Sequence, residues 1–301
     1  MMRRTFLVCL LVSAALSVAG WGDTKAASKN LTAAEVVDRN VSARGGLRAW
    51  RAVSALSFTG QMEAGGNNRP GLPMPGPKHG AQLPPQRPSD QVRLPFVMDM
   101  QRPHKTRLEI QFNGQAAVQV FDGTNGWKLR PFLNRNDVEP YTADEMKAAS
   151  LQEELDGPLV DYAAKGTKIE LAGLERVQGR DNYNLKLTAK DGSERHIWID
   201  AETFLETKME GNPRKLDGLS HPVEVYFRDY RPTDGLMIPY LLETHVLPIK
   251  NASVLREITE KVVIDKVTVN PKFAESLFTK PQAQAGNNSK QTASVGAHSL
   301  P

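Results

Sequence analysis

Histidine and cysteine carry much of the metal and nucleophilic chemistry of proteins, and their placement here argues against both. A metal or metalloprotease motif needs paired histidines, such as His-x-His or His-x-x-x-His, so that both imidazoles reach one ion. The only cysteine is Cys9, near the N-terminus, which excludes a disulfide framework, a cysteine–zinc site and a cysteine nucleophile from the mature chain. We expect no metal and no cofactor. None of the six histidines is paired in this way: His79, His104, His196, His221, His245 and His298.

The signatures of the common enzyme classes are also absent from the sequence. It has no Gly-x-Ser-x-Gly elbow, no Gly-x-x-x-x-Gly-Lys phosphate loop and no dinucleotide-binding glycine motif after a strand. The densest acid cluster, Glu153, Glu154 and Asp156, lies opposite the apolar stripe of a predicted helix, which indicates a solvated face. Residues 122–126 resemble part of a calcium loop without its terminal glutamate, and predict a hairpin turn instead. We expect the protein not to be an enzyme.

The composition is that of an ordinary globular protein. The 301 residues are 40% hydrophobic and 24% charged, with a net charge of +4 and a mean hydropathy of −0.42. Two of the positive charges are Arg3 and Arg4, so the chain without its N-terminal segment is close to neutral. Nucleic-acid binding, which needs a basic stripe, is therefore not expected.

The N-terminal residues have the pattern of a secretory signal peptide. Arg3 and Arg4 precede an apolar run over residues 5–18, and small residues at Ala19 or Ala26 offer two cleavage points. The run is too short to span about 30 Å of hydrocarbon. We assign residues 1–26 to the signal and expect a periplasmic protein that is soluble after cleavage and not integral to the membrane.

Two helical regions are predicted. Thr32 and Glu35 have the spacing of a capping box, followed by valines at helical spacing. A second capping box, Thr142 and Glu145, opens a mid-chain pair of helices in which apolar residues extend to Tyr162, with a break at residues 157–158.

Most of the remaining sequence predicts antiparallel strands, because apolar residues alternate with polar ones and turn sequences such as Asn113-Gly114 separate the runs. We predict the α+β class: a strongly curved antiparallel sheet, an incomplete barrel of about ten strands, covered by a few helices. One domain is expected over residues 27–281. It contains a Pro-rich exposed loop at 65–90, and a disordered tail follows at 282–301.

Large apolar side chains on the predicted strands are the strongest candidates for a binding surface. Periodicity alone leaves two alternatives open, a packed core or an open apolar cavity, although the methionines suit an adaptable binding surface. The candidate ligand-binding residues are Phe58, Met62, Leu94, Phe96, Met98, Met100, Leu108, Ile110 and Phe112.

The order of three motifs resembles that of the periplasmic lipoprotein-carrier superfamily, whose members are often called outer-membrane lipoprotein-sorting proteins. The motifs are Arg-Pro-His-Lys-Thr-Arg at 102–107, Asp-Gly-Thr-Asn-Gly-Trp at 122–127 and Trp-Ile-Asp at 198–200. The resemblance implies an incomplete antiparallel barrel with helices over its open side and a hydrophobic cavity that takes acyl chains. With its Pro-rich insertion and additional strands such as 223–230, this chain resembles a longer, divergent member of that superfamily.

Two classes of function follow as hypotheses. The first is an exported protein that binds an acyl chain, a lipid or a lipid-modified protein, with a role in outer-membrane lipoprotein sorting. The alternative is an envelope module on the same fold that binds partner proteins or senses stress. A hydrolase without a recognisable signature is the third and weakest alternative.

Overall fold

The computed structural model describes residues 31–65, 91–131, 135–150, 155–216, 218–250 and 257–282. All of them belong to the larger of two units into which the chain divides, Leu31–Pro301. The smaller unit, Met1–Asn30, lies outside the described residues, and so does the predicted signal peptide. The Pro-rich loop beyond Gly65 and the tail beyond Gln282 lie outside them as well.

The first helical region forms as its sequence predicts. Helix α1 (Ala33–Ala43) begins with a capping box, in which the Thr32 hydroxyl accepts from the Glu35 amide at 3.3 Å and the Glu35 carboxylate accepts from the Thr32 amide at 2.8 Å. Its valines are buried, and the short helix α2 (Leu47–Arg51) follows after a turn. No helix in the described part of the chain is long and apolar enough to cross a membrane.

The described residues form thirteen strands in one antiparallel sheet. The strands are β1 (Ala55–Gly65), β2 (Gln91–Gln101), β3 (Lys105–Phe112), β4 (Gln115–Phe121), β5 (Gly126–Arg130), β6 (Arg135–Pro140), β7 (Lys168–Val177), β8 (Arg180–Thr188), β9 (Glu194–Asp200), β10 (Glu206–Leu216), β11 (Leu219–Thr233), β12 (Leu236–Val246) and β13 (Ile258–Val269). Two meanders, β1 to β6 and β7 to β13, meet where β1 pairs with β13, so the order across the sheet is β6-β5-β4-β3-β2-β1-β13-β12-β11-β10-β9-β8-β7.

The sheet is open and strongly curved. Neighbouring strands lie about 4.8 Å apart, so β10 and β13 would be about 14 Å apart if the sheet were flat. Arg214 at the end of β10 nevertheless makes an ion pair of 2.8 Å with Glu260 on β13. We call the concave side, which carries this pair, the inner face, and the opposite side the outer face. The predicted antiparallel sheet that does not close, with few helices, is therefore confirmed, but the described residues form thirteen strands and not about ten. The sequence pattern did not predict strand β6, because Val138 is the only large apolar residue in it.

The mid-chain helical region is shorter than predicted. Thr142 and Glu145 do form the expected capping box, and α3 extends over Ala143–Ser150. Residues 155–166, however, form turns and bends, so the second predicted helix is wrong. The cause is local, because Asp161, inside the predicted second helix, takes φ +52° and so interrupts a right-handed helix. The apolar spacing instead reflects the complete burial of Leu159 and Val160.

The C-terminal described residues pack on the outer face. A 3-10 helix, Glu275–Phe278, places Phe278 against Val118, Val120 and Leu129 of β4 and β5. Phe278 is 3% exposed, so this segment is part of the domain and contributes to its core.

Candidate functional site

The candidate apolar residues of β1, β2 and β3 lie on one face of the sheet. Leu94 pairs with Met62, Met98 pairs with Phe58, and Met98 also pairs with Leu108 on its other side. Because side chains alternate along a strand, residues at even steps from these pairs share their face. The nine candidates that this places on the inner face are Phe58, Met62, Leu94, Phe96, Met98, Met100, Leu108, Ile110 and Phe112.

A cavity of about 410 Å³ lies against the centre of the inner face. Four of the nine candidates line it, namely Phe58, Phe96, Met98 and Met100. The other five share the face without belonging to the lining. The full lining is Arg44, Trp50, Leu56, Phe58, Phe96, Met98, Met100, Leu155, Gly157, Ile238, Pro239, Leu242, Val262 and Ile264.

Sequence reasoning missed the wall formed by β12 and β13. Val262 pairs with Met62 on one side and with Leu242 on the other, which continues the apolar face across the junction of the two meanders. Alternating apolar residues over 236–246 and 258–264 were a usable signal for strands. Local sequence patterns do not predict that β13 lies beside β1, because this pairing joins residues about 200 positions apart.

We call the end of the cavity at Trp50 and Leu56 the sealed end, and the end at Val262 and Leu242 the open end. At the end near the helices, Trp50 is 2% exposed and Leu56 is 1% exposed. Along β13 the burial decreases from Ile264, which is buried, to Val262, which is half-buried. Leu242, beside Val262, is half-buried too.

A buried polar network closes the sealed end. Arg44 packs its guanidinium 4.4 Å from the centre of the Trp50 ring, donates to the Asp156 carbonyl at 2.9 Å and lies 3.2 Å from the Glu206 carboxylate. Glu206 also accepts a hydrogen bond from the Tyr230 hydroxyl at 3.0 Å. Burial, together with the neighbouring Glu206 charge, raises the pKa of Tyr230 well above its usual value, so it stays a donor.

Asp156 corrects the prediction that the acid cluster is solvated. Its side chain is 3% exposed and accepts from Arg102 and Lys165, each at 2.6 Å. Arg102, directly after β2, joins residues 155–166 to the sheet, whereas Lys165 makes a contact within that segment. Leu155 and Gly157 of the segment line the cavity. Glu153 and Glu154, the other members of the cluster, lie outside the described residues. These contacts compensate the charges at the sealed end, so that end favours the apolar part of a ligand.

The turn at residues 122–126 has the structure that its sequence predicts. Asp122 accepts from the backbone amides of Thr124 and Asn125 at 2.7 Å and 2.6 Å and so closes the loop between β4 and β5. Within the described ranges, no group of three or more His, Cys, Asp or Glu side chains is arranged to hold a metal ion.

Comparison with known proteins gives matches in structure but not in sequence. No family model matches the chain, and no curated protein matches it. Solved structures that resemble it include a DUF1329 family protein from Desulfovibrio piger, at 13% identity and a TM-score of 0.50, covering 82% of this chain and 97% of that one. A LolA superfamily protein from Nitrosomonas europaea matches at 13% identity and a TM-score of 0.49, covering 83% and 99%. A domain from Vibrio parahaemolyticus named for outer membrane lipoprotein sorting matches at 11% and 0.49, covering 82% and 95%.

In its fold, the chain resembles these proteins. The identities are so low that the likeness concerns the fold alone.

Proposed function

We propose that this chain is an exported periplasmic protein that binds an acyl chain, a lipid or a lipid-modified protein in the inner-face cavity. The observation that carries the proposal is the 410 Å³ cavity, whose lining is apolar apart from Arg44 and backbone atoms at Gly157. Its volume lies within the range of about 300–1,000 Å³ typical of small-molecule sites. A role in outer-membrane lipoprotein sorting is the finer part of the proposal, and it is supported by the order of the sequence motifs.

The energetics favour a ligand with a long hydrocarbon chain. Each methylene removed from water contributes about 0.8 kcal/mol, so a chain of about a dozen methylenes gives a gross gain on the order of 10 kcal/mol. Part of this gain is lost in immobilising the ligand, so a longer hydrocarbon chain binds more tightly than a shorter one. No charged contact is needed for such binding.

Arg44 does not provide a free charge for a ligand. Its guanidinium is occupied by the Asp156 carbonyl, the Glu206 carboxylate and the Trp50 ring. A carboxylate or phosphate brought to this end would compete with Glu206 and would lose its own hydration. The methyl end of a chain therefore lies at the sealed end, and the polar end lies toward Val262.

The test uses two neighbouring leucines of β12 that point to opposite faces. Leu242 lines the cavity, whereas Leu241, the preceding residue, lies on the outer face. An environment-sensitive apolar probe is titrated into delipidated protein, and a long-chain fatty acid is then added as competitor. We expect saturable binding of one probe, displacement by the fatty acid, loss of binding in Leu242→Trp and wild-type binding in Leu241→Trp. Non-saturable binding, or equal effects of the two variants, would contradict the proposal.

A further inference from the structure

An ion pair lies just beyond the open end of the cavity. On β13, Glu260 is the next inner-face residue after Val262, which lines the cavity. Glu260 pairs with Thr244 of β12, as Val262 pairs with Leu242. A ligand chain that fills the cavity and leaves it past Val262 would therefore bring its polar end to Glu260.

The partner of Glu260 comes from the far side of the curved sheet. Arg214, at the end of β10, donates from Nη1 to Oε1 at 2.8 Å and from Nη2 to Oε2 at 3.0 Å. The pair thus bridges the inner faces of β11 and β12. On the side of the pair away from the cavity, Ile258 follows Glu260 on the inner face of β13 and belongs to an apolar cluster. The other buried members of this cluster are Leu216, Val223 and Val246.

The pair is accessible to a ligand from solvent. The Arg214 side chain is 38% exposed and that of Glu260 is 31% exposed, in contrast to the buried charges around Arg44. Exposed ion pairs contribute little to stability, so opening one to admit a ligand costs little. The guanidinium fork matches the oxygens of a phosphate, and the carboxylate matches an ammonium group.

We propose that Arg214 and Glu260 recognise the head group of a zwitterionic amphiphile, whose phosphate binds Arg214 and whose ammonium binds Glu260. This inference rests on the proposed function, because it requires the chain of the same ligand to occupy the cavity. A purely anionic head group would be repelled by the Glu260 carboxylate, and a purely cationic head group would be repelled by the Arg214 guanidinium. Only a head group with both charges replaces the ion pair without leaving a like-charge contact.

The test compares single-chain amphiphiles that differ only in their head groups. Lysophosphatidylethanolamine, lysophosphatidylglycerol and a monoacylglycerol with the same acyl chain are used below their micelle concentrations to displace the apolar probe. We expect the wild-type chain to prefer the zwitterionic lipid over the other two by about tenfold. Glu260→Gln frees the guanidinium, so the preference should move to the anionic lysophosphatidylglycerol. Arg214→Gln should remove any preference for the two phosphate-bearing lipids over the monoacylglycerol.

The matched control is Glu194→Gln, which breaks an ion pair with Lys186 at 2.7 Å on the outer face of β8 and β9. It should keep the wild-type order of affinities. The monoacylglycerol reports on the cavity and should bind all variants equally well. If it fails to bind the wild-type chain, the proposed function falls. If it binds but the wild-type chain shows no zwitterionic preference, or Glu260→Gln does not shift it, the recognition of the head group is overturned and the pair only fastens the curved sheet.

Discussion

Substitutions at three consecutive residues of β2 can distinguish a cavity wall from a packed core. Met98 lines the cavity and is half-buried, Phe96 lines it at 6% exposure, and Val97 lies on the outer face at 36% exposure. We predict different outcomes when each is replaced by glutamine. The Met98 variant should lose binding more than stability, the Phe96 variant should lose both, and the Val97 variant should lose neither.

The magnitudes follow from the burial. Removing a buried phenylalanine ring costs about 3–5 kcal/mol, and an unsatisfied buried amide adds about 1–3 kcal/mol, so Phe96→Gln should cost about 4 kcal/mol or more. The Met98 side chain keeps contact with the cavity, where a glutamine amide can stay hydrated, so its loss of stability should be about 1 kcal/mol. With ligand bound, that amide faces methylenes, and affinity should fall about tenfold or more.

The assay pairs urea unfolding with probe titration on the same preparations. Unfolding gives the change in stability, and titration at low urea gives the dissociation constant of the folded fraction. Val97→Gln is the control for substitution on the same strand. The reasoning is refuted if Met98→Gln destabilises the protein as much as Phe96→Gln does, or if its loss of binding merely follows the loss of folded protein.

Three further predictions concern the scaffold. Gly60→Ala should cost about 2 kcal/mol or more in urea unfolding, since its Cβ would lie 2.0 Å from the Val263 carbonyl oxygen; an unchanged midpoint would contradict this. Phe278→Ala should cost about 3–4 kcal/mol, whereas deleting residues 282–301 should leave the thermal midpoint unchanged; a shift on deletion would show that the tail docks. The Arg51 hydrogen bond holds the pKa of Asp161 below its usual value, so this pair stabilises the fold above the unfolded carboxyl pKa of about 3.9 and is lost as the pH falls through the lower folded-state pKa. The stability difference between wild type and Asp161→Asn should therefore shrink from pH 6 to pH 2, and a constant difference would contradict the assignment.

The features that the sequence predicted correctly are local. The capping boxes at Thr32 and Thr142 each satisfy backbone amides within four residues, and both form. The turn at Asn113-Gly114 forms with positive φ at both residues, as a two-residue hairpin requires. The alternation along β1 and β2 placed Phe58 and Met98 on one face for the same reason, since the period of a strand is set by its own backbone.

The features that could not be predicted depend on distant contacts. Asp156 follows two glutamates closely in sequence, but it is buried in contact with Arg102, which lies 54 residues earlier in the chain, and with Lys165. The second wall of the cavity depends on the β1–β13 pairing, and no local pattern specifies it. Arg214 and Glu260 belong to strands three positions apart in the sheet, and local alternation does not encode the order of the strands.

The central claim is that the inner-face cavity holds a hydrocarbon chain in the native protein. It is tested most directly by mass spectrometry of lipids extracted from the natively purified chain, compared with the Leu242→Trp variant purified in parallel. We expect a lipid in near-stoichiometric amount in the wild-type sample, its loss from the cavity-filling variant and its retention in Leu241→Trp. A wild-type protein that is folded and free of lipid, and that remains so after incubation with an extract of envelope lipids, would contradict the claim.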